Sequence, residues 1–101
     1  MFNNITLGLV KGRHEMPSDI DAYVFNDAVV DPTDTAALRN TADNFFKGYK
    51  VGPGTVVVIY VTGLTPALIA VINAAKRAGA GVIMCKHWNR ATNTYFTQGV
   101  L

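Results

Sequence analysis

The chain reads as one α/β domain, a sheet of four to five mostly parallel strands with two main helices and a C-terminal hairpin. Three observations predict this. Thr55-Val-Val-Val-Ile-Tyr-Val61 is a continuous β-branched run, a Pro66-started apolar helix follows it across a short polar turn, and Gly81-Val-Ile-Met-Cys85 is a second apolar run. Strand, helix and strand in that order form a βαβ crossover, whose parallel strands are buried on both faces and so lose polar alternation. Half of the 101 residues are hydrophobic and 16% are charged, which fits a globular domain over residues 1–101 and excludes a disordered chain. A domain this small gains from a neighbour, so a homodimer or higher oligomer is expected.

Taken in order, Ile5-Thr-Leu-Gly-Leu-Val10 is the first strand, followed by the basic loop Lys11-Gly12-Arg13-His14. Met16-Pro17 breaks the chain, and Ala22-Tyr-Val-Phe25 is a short second strand. Asp31-Pro32-Thr33-Asp34 is a helix entry, with Asp31 or Thr33 as cap. The helix from Thr33 to Lys47 puts Ala37, Leu38, Ala42, Phe45 and Phe46 on one face and Arg39, Asn40, Asp43 and Lys47 on the other, and Gly48 or Gly52 ends it. In the second helix Leu68, Ile69, Val71, Ile72, Ala74 and Ala75 leave few positions for solvent, so it packs on the sheet and on a further neighbour, for which a second subunit is the first choice. Beyond Cys85 the chain turns around Asn89 to Asn93 and returns as an edge strand from Thr94 to Gln98, although periodicity alone also allows a continuing loop.

The single cysteine, Cys85, lies in an apolar strand, which predicts a packed thiol, no disulfide framework and a reducing, cytoplasmic setting. The first residues lack the basic and apolar regions of a secretory leader. Val51 to Ala75 is uncharged and long enough to cross a bilayer, but Thr62, Gly63, Thr65, Pro66 and Asn73 interrupt it, so no membrane association is expected. Charge is segregated: all seven acids lie before residue 44 with only Lys11, Arg13 and Arg39, a balance of −4, whereas the remainder carries six bases and no acid. Segregation of this kind fits an anionic ligand or charge-complementary docking, and equally a fold whose two halves neutralise each other. A net charge of +2 without a basic stripe disfavours long nucleic acid as the partner.

Ligands of open α/β sheets bind beyond the carboxyl ends of the strands. Thr62-Gly63-Leu64-Thr65 falls there. With Thr65 as N-cap and Pro66 at the first helical position, backbone amides and the helix dipole face an anion, Gly63 lets a phosphate approach, and the Thr62 and Thr65 hydroxyls donate to it. The same residues also make an ordinary helix start. Lys11, Gly12 and Arg13 after the first strand, and Lys86, His87 and Arg90 after the later one, would complete a cationic rim at that edge. His14 and His87 are candidate proton donors or acceptors, because imidazole is the side chain suited to that role. Trp88, Tyr95 and Phe96 offer faces for a base, or close an interface. Asp19, Asp21, Asp31 and Asp34 have turn and cap spacing, so no metal site and no cofactor is expected.

The segment Val61-Thr62-Gly63-Leu64-Thr65-Pro66 and its flanking strands resemble the CARF-type Rossmann-like domains and single-domain ring nucleases. The likeness spans Thr55 to Lys86, about a third of the chain, and the brief N-terminal half departs from a full CARF domain. The resemblance implies a small Rossmann-like sheet whose edge loops hold a cyclic oligonucleotide across a dimer axis. Small phage-encoded proteins that absorb or destroy host nucleotide signals are similar in size and composition, which implies antagonism of antiviral signalling in a host cytoplasm. The expected function is therefore binding of a cyclic nucleotide or oligonucleotide messenger, with sequestration or slow metal-independent cleavage. In cleavage, a ligand 2′-hydroxyl attacks its adjacent phosphate while Arg13, His14 or Lys86 stabilises developing charge. The alternative is a structural or protein-interaction subunit without a nucleotide ligand.

Overall fold

Main-chain pairing of the central apolar strand organises the chain, described by a computed structural model over residues 3–11, 17–25 and 31–101. The elements are β1 Asn3–Val10, β2 Ala22–Phe25, α1 Thr35–Phe46, β3 Thr55–Tyr60, α2 Thr65–Ala78, β4 Val82–Asn89 and β5 Thr94–Gly99. They form one five-stranded sheet in the order β2-β1-β3-β4-β5. The first four strands are parallel and β5 returns antiparallel to β4, the α/β architecture with a C-terminal hairpin that the sequence predicts.

Sheet order fixes where the helices lie. The connections β2-α1-β3 and β3-α2-β4 step across the sheet in the same direction, and right-handed crossovers in one direction put both helices on one face. Accordingly α1 and α2 pack side by side, joined by Arg77, whose Nε and Nη2 donate to Asp43 Oδ1 at 3.1 and 2.8 Å. Helix α2 thus packs on the sheet and on α1. The core lies between layers: Ile5, Leu7, Leu9, Val57, Ile59 and Ile83 from the sheet meet Leu38, Ala42, Phe46, Ala67, Val71 and Ala75 from the helices. Each fully buried aliphatic side chain contributes about 1.5–3 kcal/mol.

Local chemistry sets the helix ends. Asp34, not Asp31 or Thr33, caps α1 by accepting the Ala37 N–H at 3.1 Å. Asp31 instead accepts the Thr33 N–H and hydroxyl at 2.9 and 2.6 Å, and its carboxyl is held below the usual range, first by that hydroxyl and then by the N–H. Helix α2 ends at Gly79, where the chain turns left-handed. Two contacts then fix where β3 and β4 begin. The buried Thr55 hydroxyl donates to Asn3 Oδ1 at 2.7 Å and accepts the Gly52 N–H at 3.0 Å, tying the turn before β3 to β1. A Cβ at Gly81 would lie 1.9 Å from the Pro53 carbonyl oxygen, so the chain entering β4 passes Pro53 only as glycine.

Thr55→Val, nearly isosteric, should lower unfolding free energy by about 1–3 kcal/mol in urea titrations, because two part-buried hydrogen bonds, to the Gly52 N–H and the Asn3 side-chain carbonyl, are lost at about 0.5–1.5 kcal/mol each. Gly81→Ala should destabilise by at least the ~1–3 kcal/mol of an overpacked site, because the obstructing atoms are backbone.

Candidate functional site

Parallel pairing of β1, β3 and β4 brings Lys11, the Thr62-Thr65 turn and the end of β4 to one edge of the sheet. Lys11 is exposed there, and its N–H donates to the Phe25 carbonyl at 3.2 Å. Gly12, Arg13, His14 and Met16 lie outside the described residues.

After β3 the chain reverses through Gly63, at φ +97°, into Leu64. Only glycine adopts that φ without strain, and none of the described residues lies within 4 Å of where a Cβ would stand, so among them the space over the turn is open. Helix α2 begins one residue earlier than expected. Leu64 is the N-cap, Thr65 is already helical, and no side chain caps the end. The physical reason is packing: the Leu64 side chain reaches the core, so its backbone must close the first turn, with the Leu68 N–H donating to the Leu64 carbonyl at 3.1 Å. First-turn amides are thus left without a side-chain acceptor. Beside them the Thr62 hydroxyl is buried and makes no hydrogen bond, an arrangement that costs about 1–3 kcal/mol.

The predicted second basic loop is strand. β4 continues past Cys85 to Asn89 because β5 pairs with it over that length, Trp88 opposite Tyr95 and Asn89 opposite Thr94. Strand alternation therefore sends Lys86 and His87 to opposite faces. His87 stacks on Phe96 at 5.2 Å and its Nε2 meets Gln98 Oε1 at 2.9 Å, away from Lys86. Arg90 lies exposed in the hairpin turn, where Asn89 Oδ1 accepts the Ala91 N–H and Asn93 takes positive φ. Cys85 is buried and its thiol pKa is raised by that burial, as a packed thiol should be.

Lys86 joins an aromatic group that the sequence reading did not assemble. Register aligns Tyr23, Gly8, Tyr60, Lys86 and Thr97 in one row across the sheet, on the face away from the helices. The Tyr23 ring occupies the space over Gly8, and Lys86 Nζ stands 5.4 Å from the Tyr60 ring centroid. Tyr95 packs edge-on to Tyr60 at 4.8 Å and to Trp88 at 5.1 Å, leaving Trp88 about half exposed, at 48%. The Tyr60 hydroxyl donates to both oxygens of Asp19 at 3.1 Å, so Asp19 is more than a turn residue. Period-two alternation along Val56, Val58 and Tyr60 was the available signal for Tyr60. Two clefts among the described residues, of about 600 and 620 Å³, lie in the helix layer; the second reaches this edge only at Thr65 and Pro66. Among the described residues no cluster of His, Cys, Asp or Glu is grouped to hold a metal, and no helix is long and apolar enough to cross a membrane.

Burial, followed by the hydrogen bond to Asp19 and its negative charge, raises the Tyr60 pKa above its ordinary value of 10.0. The folded state therefore holds this proton more tightly than the unfolded chain. Its contribution to stability is full below the unfolded pKa and is lost as pH rises through the folded one. Tyr60→Phe should remove the latest-titrating step from the tyrosinate absorbance curve and flatten the alkaline fall in stability; an unchanged curve would count against this arrangement.

No protein-family model, curated protein or solved structure matches this chain.

Proposed function

We propose that the protein binds a small phosphate-bearing nucleotide, of the cyclic nucleotide or cyclic oligonucleotide class, at the carboxyl edge of its sheet. The observation that carries this reading is the turn after β3. Gly63 leaves open space over the backbone, α2 begins without a side-chain cap, and Thr62 holds an unpartnered hydroxyl beside it. A phosphate at that turn meets first-turn amides and the positive end of the helix dipole, and rotation about the Thr62 side chain gives its hydroxyl an acceptor. Lys11 supports the reading with a positive charge at the same edge, and Lys86 with a charge beside the Trp88 and Tyr95 faces on which a base can stack.

Sequestration needs no more than these groups. Cleavage asks more: the ligand 2′-oxygen bonds to phosphorus, the bond to the 5′-oxygen breaks, that oxygen takes a proton, and a 2′,3′-cyclic phosphate remains. Lys86 would offset charge on such a phosphate, and the two proton transfers, off the attacking 2′-hydroxyl and onto the leaving 5′-oxygen, would fall to His14 with Arg13 as the second cation.

The test is a thermal-shift panel of cyclic mononucleotides and cyclic oligonucleotides. A ligand at a hundred times its Kd should stabilise the fold by about 2.7 kcal/mol. Lys86→Ala should weaken binding about tenfold or more, the loss of one charged hydrogen bond, and Thr62→Val should weaken it while leaving the unliganded fold intact. Chromatography of the incubated ligand separates binding from turnover by the appearance of linear product. A melting temperature indifferent to the whole panel would sink the proposal.

A further inference from the structure

Strand β5 forms one edge of the sheet, and its outer side pairs with nothing among the described residues. Which of its groups stand free follows from the ladder. The Ile83 carbonyl accepts the Val100 N–H at 2.8 Å, and the Ile83 N–H donates to the Leu101 carbonyl at 3.0 Å. Two residues opposite one make a bulge, which ends the regular ladder at Gly99. Bonded and non-bonded pairs alternate along antiparallel strands, so Cys85 with Gln98, His87 with Phe96 and Asn89 with Thr94 are the bonded pairs. Tyr95, Thr97 and Gly99 therefore aim their N–H and carbonyl groups away from β4, three donors and three acceptors in a row. Sheet edges are commonly blunted by shortness, charge or proline. The opposite edge, β2, has four residues and follows Asp19 and Asp21, whereas β5 has six, and the run from Ala91 to Leu101 holds no charge and no proline. Thr94, Phe96 and Gln98, on the helix side of β5, are all exposed, so neither helix overhangs it.

We infer that a second copy of this chain adds to that edge, β5 pairing antiparallel with its own copy about a two-fold axis at Thr97 to make one continuous sheet of both chains. Hydrogen-bond chemistry selects this occupant and this register. With Thr97 opposite its own copy, Tyr95 of each chain stands opposite Gly99 of the other, and all the outward donors meet acceptors, six hydrogen bonds in all. A slip of two residues in either direction leaves part of the row unpaired. Side chains fit the same register. The Tyr95 ring of one chain lies over the bare Gly99 backbone of the other, and Phe96, exposed at 51%, comes diagonal to its own copy, within reach of an aromatic ring. An isologous contact sets a patch against itself, and this strand brings no like charges to the axis. Four of the six large apolar side chains exposed among the described residues, Trp88, Phe96, Val100 and Leu101, lie on this hairpin or just beyond it. A contact of one strand with another is small, near or below the ~1,200 Å² at which stable interfaces begin, so the dimer should dissociate on dilution. This pairing is independent of ligand binding at the carboxyl edge.

Sedimentation velocity across a wide dilution series tests it. The wild-type chain should sediment at twice the 10.9 kDa monomer mass when concentrated and at the monomer mass when dilute. Thr97→Pro removes an outward N–H that the monomer does not use, so circular dichroism should be unchanged. Two hydrogen bonds are lost across the axis, and the dissociation constant should rise about tenfold to a hundredfold. Ile69→Lys, on the exposed outer side of α2, should dimerise as the wild type does. A wild-type chain that is monomeric at every concentration overturns the inference. So does a Thr97→Pro dimer as tight as the wild type. Should the proline variant not fold, amide hydrogen exchange of the wild type decides. Protection at Tyr95, Thr97 and Gly99 that is lost on dilution, while Phe96 and Gln98 stay protected, supports the paired edge. Outward amides that exchange equally fast at high and low concentration refute it.

Discussion

Parallel pairing of β1, β3 and β4 is the constraint from which the remaining architecture follows. Neighbouring strands that run the same way need a crossover between them, so their carboxyl ends, and the loops that leave them, collect at one edge. Here that edge receives Lys11, the Gly63 turn and the far half of β4. The direction of stepping has a second effect. Because β2, β3 and β4 succeed one another toward the same side, both helices share a face and half of the sheet's side chains look outward. One topological fact thus produces both a candidate ligand edge and a sheet face that carries neither helix.

Tyr60 stands where these two features meet. It ends β3, lies on that face, and holds Asp19, Lys86 and Tyr95 around its ring and hydroxyl. The magnitudes separate these contacts. A hydrogen bond to a carboxylate contributes about 1.5–3 kcal/mol, and a cation over an aromatic face only about 0.5–1 kcal/mol where solvent reaches it. Asp19 is therefore committed to Tyr60, whereas Lys86 is readily redirected to a stronger acceptor. A lysine held only against a ring is free to meet an anion, as the proposed phosphate site asks of it.

The separation of acids from bases along the chain has a partly structural meaning. Asp43, the last acid, pairs with Arg77 from the basic half and holds α1 against α2, with Arg39 3.7 Å away on the other carboxylate oxygen. At roughly one-third exposure such a pair contributes at most about 1 kcal/mol, so it aligns the helices more than it stabilises them. Lys11 and Lys86 take no part in it; among the described residues they stand at the candidate ligand edge.

Local rules made most elements legible. The β-branched run of β3, the Pro66 helix start, the short β2 and the Asn89-to-Asn93 turn are encoded over spans of a few residues, where period, capping and turn chemistry act. The edge location of the Thr62-Gly63 turn was readable for the same reason, since a βαβ unit always returns its first loop to the carboxyl side. Other features depend on partners distant in sequence. The extension of β4 to Asn89, which splits Lys86 from His87, exists because β5 supplies hydrogen bonds past the end of β3. The Leu64 cap reflects a demand of the core, and the meeting of Asp19 with Tyr60 spans 41 residues. The sequence by itself thus determined the class of fold, its strands and helices, and the sheet edge at which the Thr62-Gly63 turn stands. Tertiary structure alone decided which face each side chain takes, because facing is set by register, and register is a property of pairs of strands.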